Sequence, residues 1–317
     1  MTDRGKLTTD PFNAPDEAIA FDLNAYLSER RERVDRALGG YLRAGSERDA
    51  DIVTAMAYSV QAGGKRLRPI LCLAAAAAVD GKEEEALPAA CALEMIHTYS
   101  LIHDDLPSMD DDDLRRGKPT CHKAYGEATA VLAGDALLTR AFHVLAEHAL
   151  GLDPERHGRW LHIIALLAQA AGHEGMIEGQ MRDIAAEGRP LALQELEQLH
   201  RLKTGALICA AVRAGAVIGG AGGERLSRLE HYAQCIGLAF QVVDDILDVE
   251  GDPLLMGKAA GSDQLRRKNT YTALMGLAGA RHKAAELITQ SLRYLDIFDK
   301  KADPLRAVAR YVIERQR

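Results

Sequence analysis

Phe240-Gln241-Val242-Val243-Asp244-Asp245-Ile246-Leu247-Asp248 reads as a buried helix that carries acid. Asp244 and Asp248 stand at i and i+4 and so share one helix face, with Asp245 on the neighbouring side. A solvated acidic face does not need Phe240, Val242, Val243, Ile246 and Leu247 around it. Acid set into an otherwise apolar helix is a functional signal, because a buried carboxylate needs a cation or a donor.

A second acidic run lies upstream: His103-Asp104-Asp105-Leu106-Pro107-Ser108-Met109-Asp110-Asp111-Asp112-Asp113. It closes an apolar helical stretch (Leu93, Met95, Ile96, Leu101, Ile102), so its aspartates meet the negative end of the helix dipole. Two like charges 4 Å apart repel by about 4 kcal/mol near a protein surface. Taken alone the run is a solvated acidic loop. Paired with the cluster at Asp244 it reads as half of a cation site, and hard carboxylate oxygens suit Mg²⁺ shared with a phosphate.

Outward from these clusters the chain is helical. Apolar residues recur at helical spacing from Phe21 to Leu42, and the Ala-rich run from about Ile70 to Val79 is apolar all round, a core helix. A helix from about Pro88 to Asp104 follows, with Pro88 suited to its first turn. Asp110 to Gly117 is loop-like. Further helices are expected near 128–150, 155–172, 174–187, 193–218, 225–250, 271–295 and 303–315. No β-alternation and no low-complexity linker appear. The expectation is an all-α chain: a loose arm over residues 1–18 and one helical domain over 19–317.

The net charge of -7 argues against nucleic-acid binding, which needs a basic footprint. Cys72, Cys91, Cys121, Cys209 and Cys235 are odd in number and lack a Cys-x-x-Cys pair, so neither a disulfide framework nor a zinc site is expected. Residues 1–16 have no apolar signal core, and the run Ile70–Val79 is too short to span a bilayer. A cytoplasmic protein without stable membrane insertion is the simplest reading. Local basic groups still favour anions: Lys65, Arg66 and Arg68 after Gly63-Gly64, Arg115-Arg116 after the first acidic run, Lys203, Lys258, and Arg266-Arg267-Lys268. The pattern suits two anions, one bound through metal and one held by Lys and Arg.

The run from Glu94 to Lys123 closely resembles the first aspartate-rich region of polyprenyl diphosphate synthases, most of all bacterial farnesyl diphosphate synthases. Gly64 to Pro69, Gly179-Gln180-Met181-Arg182-Asp183, Lys203-Thr204, Phe240 to Asp248, and Gly257-Lys258 through Tyr271 resemble the family's other motifs in order. Asn269, Arg266-Arg267 and Thr272, where many relatives have Pro, depart from it. The resemblance implies an isoprenoid-synthase-like helical bundle around a central cavity, and a homodimer. It implies Mg²⁺, with Mn²⁺ as a substitute, on Asp104, Asp105 and Asp110 and on Asp244, Asp245 and Asp248. Arg115, Lys203, Lys258 and Lys268 would contact the allylic diphosphate; Lys65, Arg68, His97 and Arg116 would hold isopentenyl diphosphate; Thr204 and Gln241 would line the reacting centre. His103 is left structural.

Tyr99 and Ser100 lie five and four residues before Asp104, or roughly 6–7.5 Å along a helix. A bulky Tyr99 there fits the floor of a hydrocarbon tunnel, and with the Pro107-Ser108 insertion it resembles the farnesyl pattern. The implied activity joins isopentenyl diphosphate to dimethylallyl and geranyl diphosphates. A geranylgeranyl synthase shares every motif. A class I terpene cyclase fits less well, since Asp244-Asp245-x-x-Asp248 differs from its Asn/Ser/Glu motif, and a non-catalytic homologue would be expected to have lost aspartates or Lys203.

Overall fold

The acidic helices are held by residues far from them in sequence. The structure, a computed structural model, describes residues 21–42, 50–250 and 269–315. Its helices are α1 (Leu23–Tyr41), α2 (Ala50–Gln61), α3 (Leu67–Ala78), α4 (Glu83–Asp104), α5 (Cys121–Tyr125), α6 (Glu127–Leu150), α7 (Pro154–Ala171), α8 (Met176–Ala185), α9 (Leu193–His200), α10 (Ala206–Ile218), α11 (Gly223–Glu250), α12 (Tyr271–Tyr294) and α13 (Asp303–Glu314). A π-helical turn, Arg201–Gly205, joins α9 to α10, and a 3₁₀ turn, Lys300–Ala302, precedes α13. The expected all-α class holds.

Most helix limits fall within a few residues of those expected; the differences have physical causes. α3 starts three residues before Ile70, because Arg66 takes a left-handed backbone (φ 51°) that turns the chain into the helix. The Arg66 side chain is buried, donating to Glu94 (2.7 Å), Asp35 (2.7 Å) and the Val60 carbonyl (2.5 Å). α4 starts at Glu83, so Pro88 is internal rather than in the first turn. Glu83, Glu84 and Glu85 favour the positive end of the helix dipole, which extends the helix ahead of the proline. Arg30 and Arg33 of α1 reach Glu83, Arg33 also reaches Glu84, and Arg156 of α7 reaches Glu85. The spacing reading names neither α2 nor the five-residue α5.

The loop expected from Asp110 to Gly117 holds the first strand and the turn of a small antiparallel hairpin, β1 (Leu114–Arg115) and β2 (Lys118–Pro119), with Arg115 opposite Lys118. Its two turn residues, Arg116 (φ 54°) and Gly117 (φ 75°), both have positive φ, as a two-residue type I′ turn requires.

The core is alanine-rich. α3 buries Ile70 to Ala76 and Ala78, and packs against α10 and α4. α11 packs chiefly along α12 and α10. Among the described residues α6 is the one helix long and apolar enough to cross a membrane. Its Ala130, Ala133, Gly134, Leu137, Ala141, Val144, Leu145 and Ala149 are nonetheless buried, and it packs against α4. The five cysteines are free thiols.

Candidate active site

The first cluster is made by a chain reversal after α4. The Asp110 N–H donates to the Asp104 carbonyl (2.8 Å), so the Pro107-Ser108 insertion folds Asp110 back onto Asp104. Burial pushes the Asp104 carboxyl up to about 6, with the Asp110 and Asp105 charges adding; Lys203 and Arg115 work against them. A carboxylate so disfavoured as an anion wants a cation. Asp105 is different. It is 3% exposed and both its oxygens are taken by Arg115, Nε at 2.7 and 2.9 Å and Nη2 at 2.5 Å. The hairpin thus presents Arg115 to Asp105, with Asp112 3.7 Å from the same guanidinium.

Arg116, one residue on, lies over Gly64. A Cβ built on Gly64 would come within 2.5 Å of the Arg116 Nη1 and displace that guanidinium, and the positive φ of Gly64 (132°) favours glycine there. Arg68 and His97 complete this group. Burial lowers the Arg68 pKa, and its buried Nε has no hydrogen-bond partner among the described residues. Burial, then the charges of Arg68, Arg116, Arg115 and Arg66, push the His97 pKa well below its usual value, so His97 is a neutral donor amid cations. Lys65 Nζ lies 5.8 Å from the Tyr311 ring centre. Such a collection of positive groups repels itself until an anion arrives. A small solvent-open cleft reaches Arg115 and Arg116, lined also by Tyr58, Leu101, Ile102 and Asp105 among others.

The second cluster is joined to the first through the π turn. Such turns mark functional sites because the extra residue re-aims neighbouring side chains. Here Lys203 bonds Asp183 of α8 (2.6 Å) and lies near enough to Asp104 to oppose its pKa rise. The next residue, Thr204, donates to Gln241 of α11 (3.1 Å), and the Gln241 amide donates to Asp245 (3.4 Å). The other Asp245 oxygen accepts the Tyr271 N–H at the start of α12 (2.7 Å). Gly179 of α8 lets the π turn sit close: a Cβ there would lie 2.2 Å from the Lys203 nitrogen. Asp245 and Asp248 are buried, while Asp244 accepts from Arg315 (2.7 Å).

The structure therefore brings together Arg68, His97, Arg115 and Arg116 on one side, and Lys203, Thr204, Gln241 and Asp245 on the other, while Lys65 lies over Tyr311. Asp105 and Asp245, the middle aspartates of their clusters, are tied to protein donors. Lys258 and Lys268, with Gly257 and Arg266-Arg267, lie outside the described residues. Ser100 donates to the His97 carbonyl (2.9 Å), and Tyr99 is buried, its hydroxyl without a partner among the described residues and its ring edge-on to His103 (5.7 Å). Sequence reasoning missed Arg315 and gave no role to Asp183. Asp183 stood in a quoted motif; Arg315 had no local signal at all. Asn269 also gains a reason: it bonds Leu191, Ala186 and Arg189, fastening the start of α12 to the loop after α8.

His200, at the end of α9, is buried against Tyr271 (5.4 Å) with no partner for Nδ1 among the described residues, and burial lowers its pKa to about 4. The folded state refuses a proton that the unfolded chain accepts below about 6.5. Stability should therefore fall as pH drops from about 6.5 to 4, by up to about 3 kcal/mol from this residue. Urea midpoints across that range for wild type and His200→Phe check it: the variant should show a flatter decline.

The chain matches the polyprenyl synthetase family model over residues 49–305. It is 50% identical over 294 residues to the farnesyl diphosphate synthase of Geobacillus stearothermophilus, covering 92% of this chain and 96% of that protein. It is 48% identical over 304 residues to the large subunit 1 of a chloroplastic heterodimeric geranylgeranyl pyrophosphate synthase of Arabidopsis thaliana, covering 95% and 81%. The solved apo structure of a Zymomonas mobilis FPP/GFPP synthase superposes with a TM-score of 0.81 at 40% identity, covering 92% and 98%. With its two acidic helices and the cationic groups around them, the chain belongs to the polyprenyl synthetase family and is a trans-prenyltransferase.

Proposed function

We propose that this enzyme condenses isopentenyl diphosphate with dimethylallyl and then geranyl diphosphate to give farnesyl diphosphate, using Mg²⁺. Members of the family use divalent metal ions and take isopentenyl and allylic diphosphates. The observation that carries the reading is the π turn, which puts Lys203 near Asp104 and Thr204 on Gln241 of the Asp244 helix, so one short segment serves both acidic clusters.

The donor set fits Mg²⁺. It is all oxygen, and Asp104 is raised by burial and neighbouring carboxylates in a way a cation relieves. Among the described residues no three acidic, His or Cys side chains form a ready-made cage, which suits an ion that shares one or two carboxylates with substrate phosphates. Asp104 and Asp110 from one wall, and Asp244 and Asp248 from the other, are the carboxylates assigned to it; Asp105 and Asp245 support them. Bound there, Mg²⁺ would neutralise charge gathering on the leaving diphosphate.

Arg115, Lys203, Lys258 and Lys268 are assigned to the allylic diphosphate, and Lys65, Arg68, His97 and Arg116 to isopentenyl diphosphate. The neutral His97 donates a hydrogen bond without adding charge to an already cationic pocket. The allylic C–O bond breaks with its electron pair leaving on the diphosphate. The isopentenyl double bond then attacks the allylic C1, and a proton leaves the new cation for the departing diphosphate. Thr204 and Gln241 line that centre, and buried α4 excludes water from it. We assign residues 19–317 to one domain, supported by a single continuous apolar core among the described residues. A cytoplasmic homodimer is implied by the resemblance, and Leu132, 58% exposed on α6, supplies apolar surface for it.

Product length rests on Tyr99. Purified enzyme with Mg²⁺, isopentenyl diphosphate and each allylic starter should give C15 as the main product; a main product of C20 would overturn the farnesyl reading in favour of a geranylgeranyl synthase. Tyr99→Ala should shift most product to C20 or longer under the same conditions. An unchanged C15 product would remove Tyr99 from the tunnel floor.

A further inference from the structure

Arg315 lies beyond the last helix turn, yet its side chain is only 3% exposed. Its Nη2 donates to the Asp244 carboxylate (2.7 Å) and to the Phe240 carbonyl (2.8 Å), its Nε donates to the Val312 carbonyl (3.3 Å), and its guanidinium lies 3.9 Å from the Phe240 ring centre. Asp244 is much more open, with its side chain 40% exposed. The charge of Arg68 also acts on Asp244. One carboxylate of the second cluster thus faces two arginines, and one of them is a buried, fully built contact from the far end of the chain.

From this geometry we infer that Arg315 is a positioning residue that makes cation loading at Asp244 depend on the diphosphate. The inference rests on the assignment of Asp244 as a metal carboxylate. A guanidinium on one Asp244 oxygen leaves the other for a metal and sets its direction. It also repels a divalent ion a few ångströms away, and that repulsion is strong at the low effective dielectric near a protein surface. The burial of Arg315, with Phe240 and Val312 as further partners, keeps it from swinging aside. A diphosphate brings negative charge that offsets the repulsion. Asp104, by contrast, has no arginine directly bonded to it among the described hydrogen bonds, and with the charges of Lys203 and Arg115 nearby its carboxyl is still raised to about 6 by burial and its acidic neighbours. The two walls would then load in order, the second only with substrate present.

The test is Mn²⁺ binding to the purified chain, read by electron paramagnetic resonance, with and without inorganic diphosphate. Without diphosphate, Arg315→Gln should bind Mn²⁺ about tenfold more tightly than wild type, the loss of one nearby positive charge. Arg315→Lys, which keeps the charge, should stay near wild type. Phe240→Leu, which removes the ring under the guanidinium, should shift affinity the same way as Arg315→Gln but less, and serves if that variant does not fold. Equal or weaker binding by Arg315→Gln and Phe240→Leu overturns the inference, as does a Lys variant that behaves like Gln. Asp244→Asn separates the two claims. If it leaves Mn²⁺ binding with diphosphate unchanged, Asp244 is no metal carboxylate and both fall; if it weakens that binding while the other variants match wild type, only the role of Arg315 falls.

Discussion

Asp104→Asn is expected to cut kcat by on the order of 10³-fold while making the protein more stable at neutral pH. The two effects have one cause. Burial and the neighbouring Asp110 and Asp105 raise the Asp104 carboxyl to about 6. Between about 4 and 6 the folded state holds a proton that the unfolded chain has released, so stability falls as pH rises through that window. Above it, the ionised carboxylate costs the metal-free protein up to about 3 kcal/mol. Asparagine keeps the shape and removes the charge, so that cost disappears together with the metal carboxylate. Urea unfolding without metal, with and without the substitution, measures the gain, and steady-state turnover measures the loss. A variant that loses activity and also loses stability would mean that Asp104 is a packing residue.

Arg66→Ala is expected to destabilise the protein by about 3–5 kcal/mol, because it removes the bonded partner of the buried Glu94 carboxylate and leaves it only the charges of Arg68 and Arg116. The Arg66 and Glu94 side chains are 2% and 3% exposed, and their 2.7 Å bond ties the start of α3 to the middle of α4. Glu94 lies one turn before His97, and Arg66 two residues before Arg68, so the pair sets the spacing of Arg68 and His97. Replacing both partners with Met should recover much of the loss, since an apolar pair of similar volume has no stranded charge. Urea midpoints for the single and double variants distinguish this from a surface pair, for which the single change would cost less than about 1 kcal/mol.

Arg66 also shows where sequence reading reached its limit. In sequence it was one of three basic residues near a Gly-Gly turn, equal to Lys65 and Arg68. Only the packing of α1, α2 and α4 around it turns it inward as structure, while the Arg68 Nε has no partner among the described residues. The helices were legible because their apolar spacing is local. The early start of α4 was less so, since its glutamates are drawn into the helix by partners on α1 and α7. The candidate site was legible as a set of motifs, and its aspartates were found from charge set against apolar flanks. The division within each cluster was not: which aspartate faces the opening depends on Arg115 in the hairpin and on the Tyr271 N–H, contacts made by chain that arrives from elsewhere. Arg315 was invisible for the same reason.

The central claim is that two acidic walls and their cationic neighbours ionise an allylic diphosphate with a divalent cation and add isopentenyl diphosphate to it. Its most direct test is one measurement: product formed from geranyl diphosphate and labelled isopentenyl diphosphate by the purified chain, with Mg²⁺ and again with excess chelator. The account predicts a labelled C15 diphosphate with Mg²⁺, none with chelator, and recovery when Mg²⁺ is returned. Product formed equally well in chelator, or no product under either condition, would contradict it.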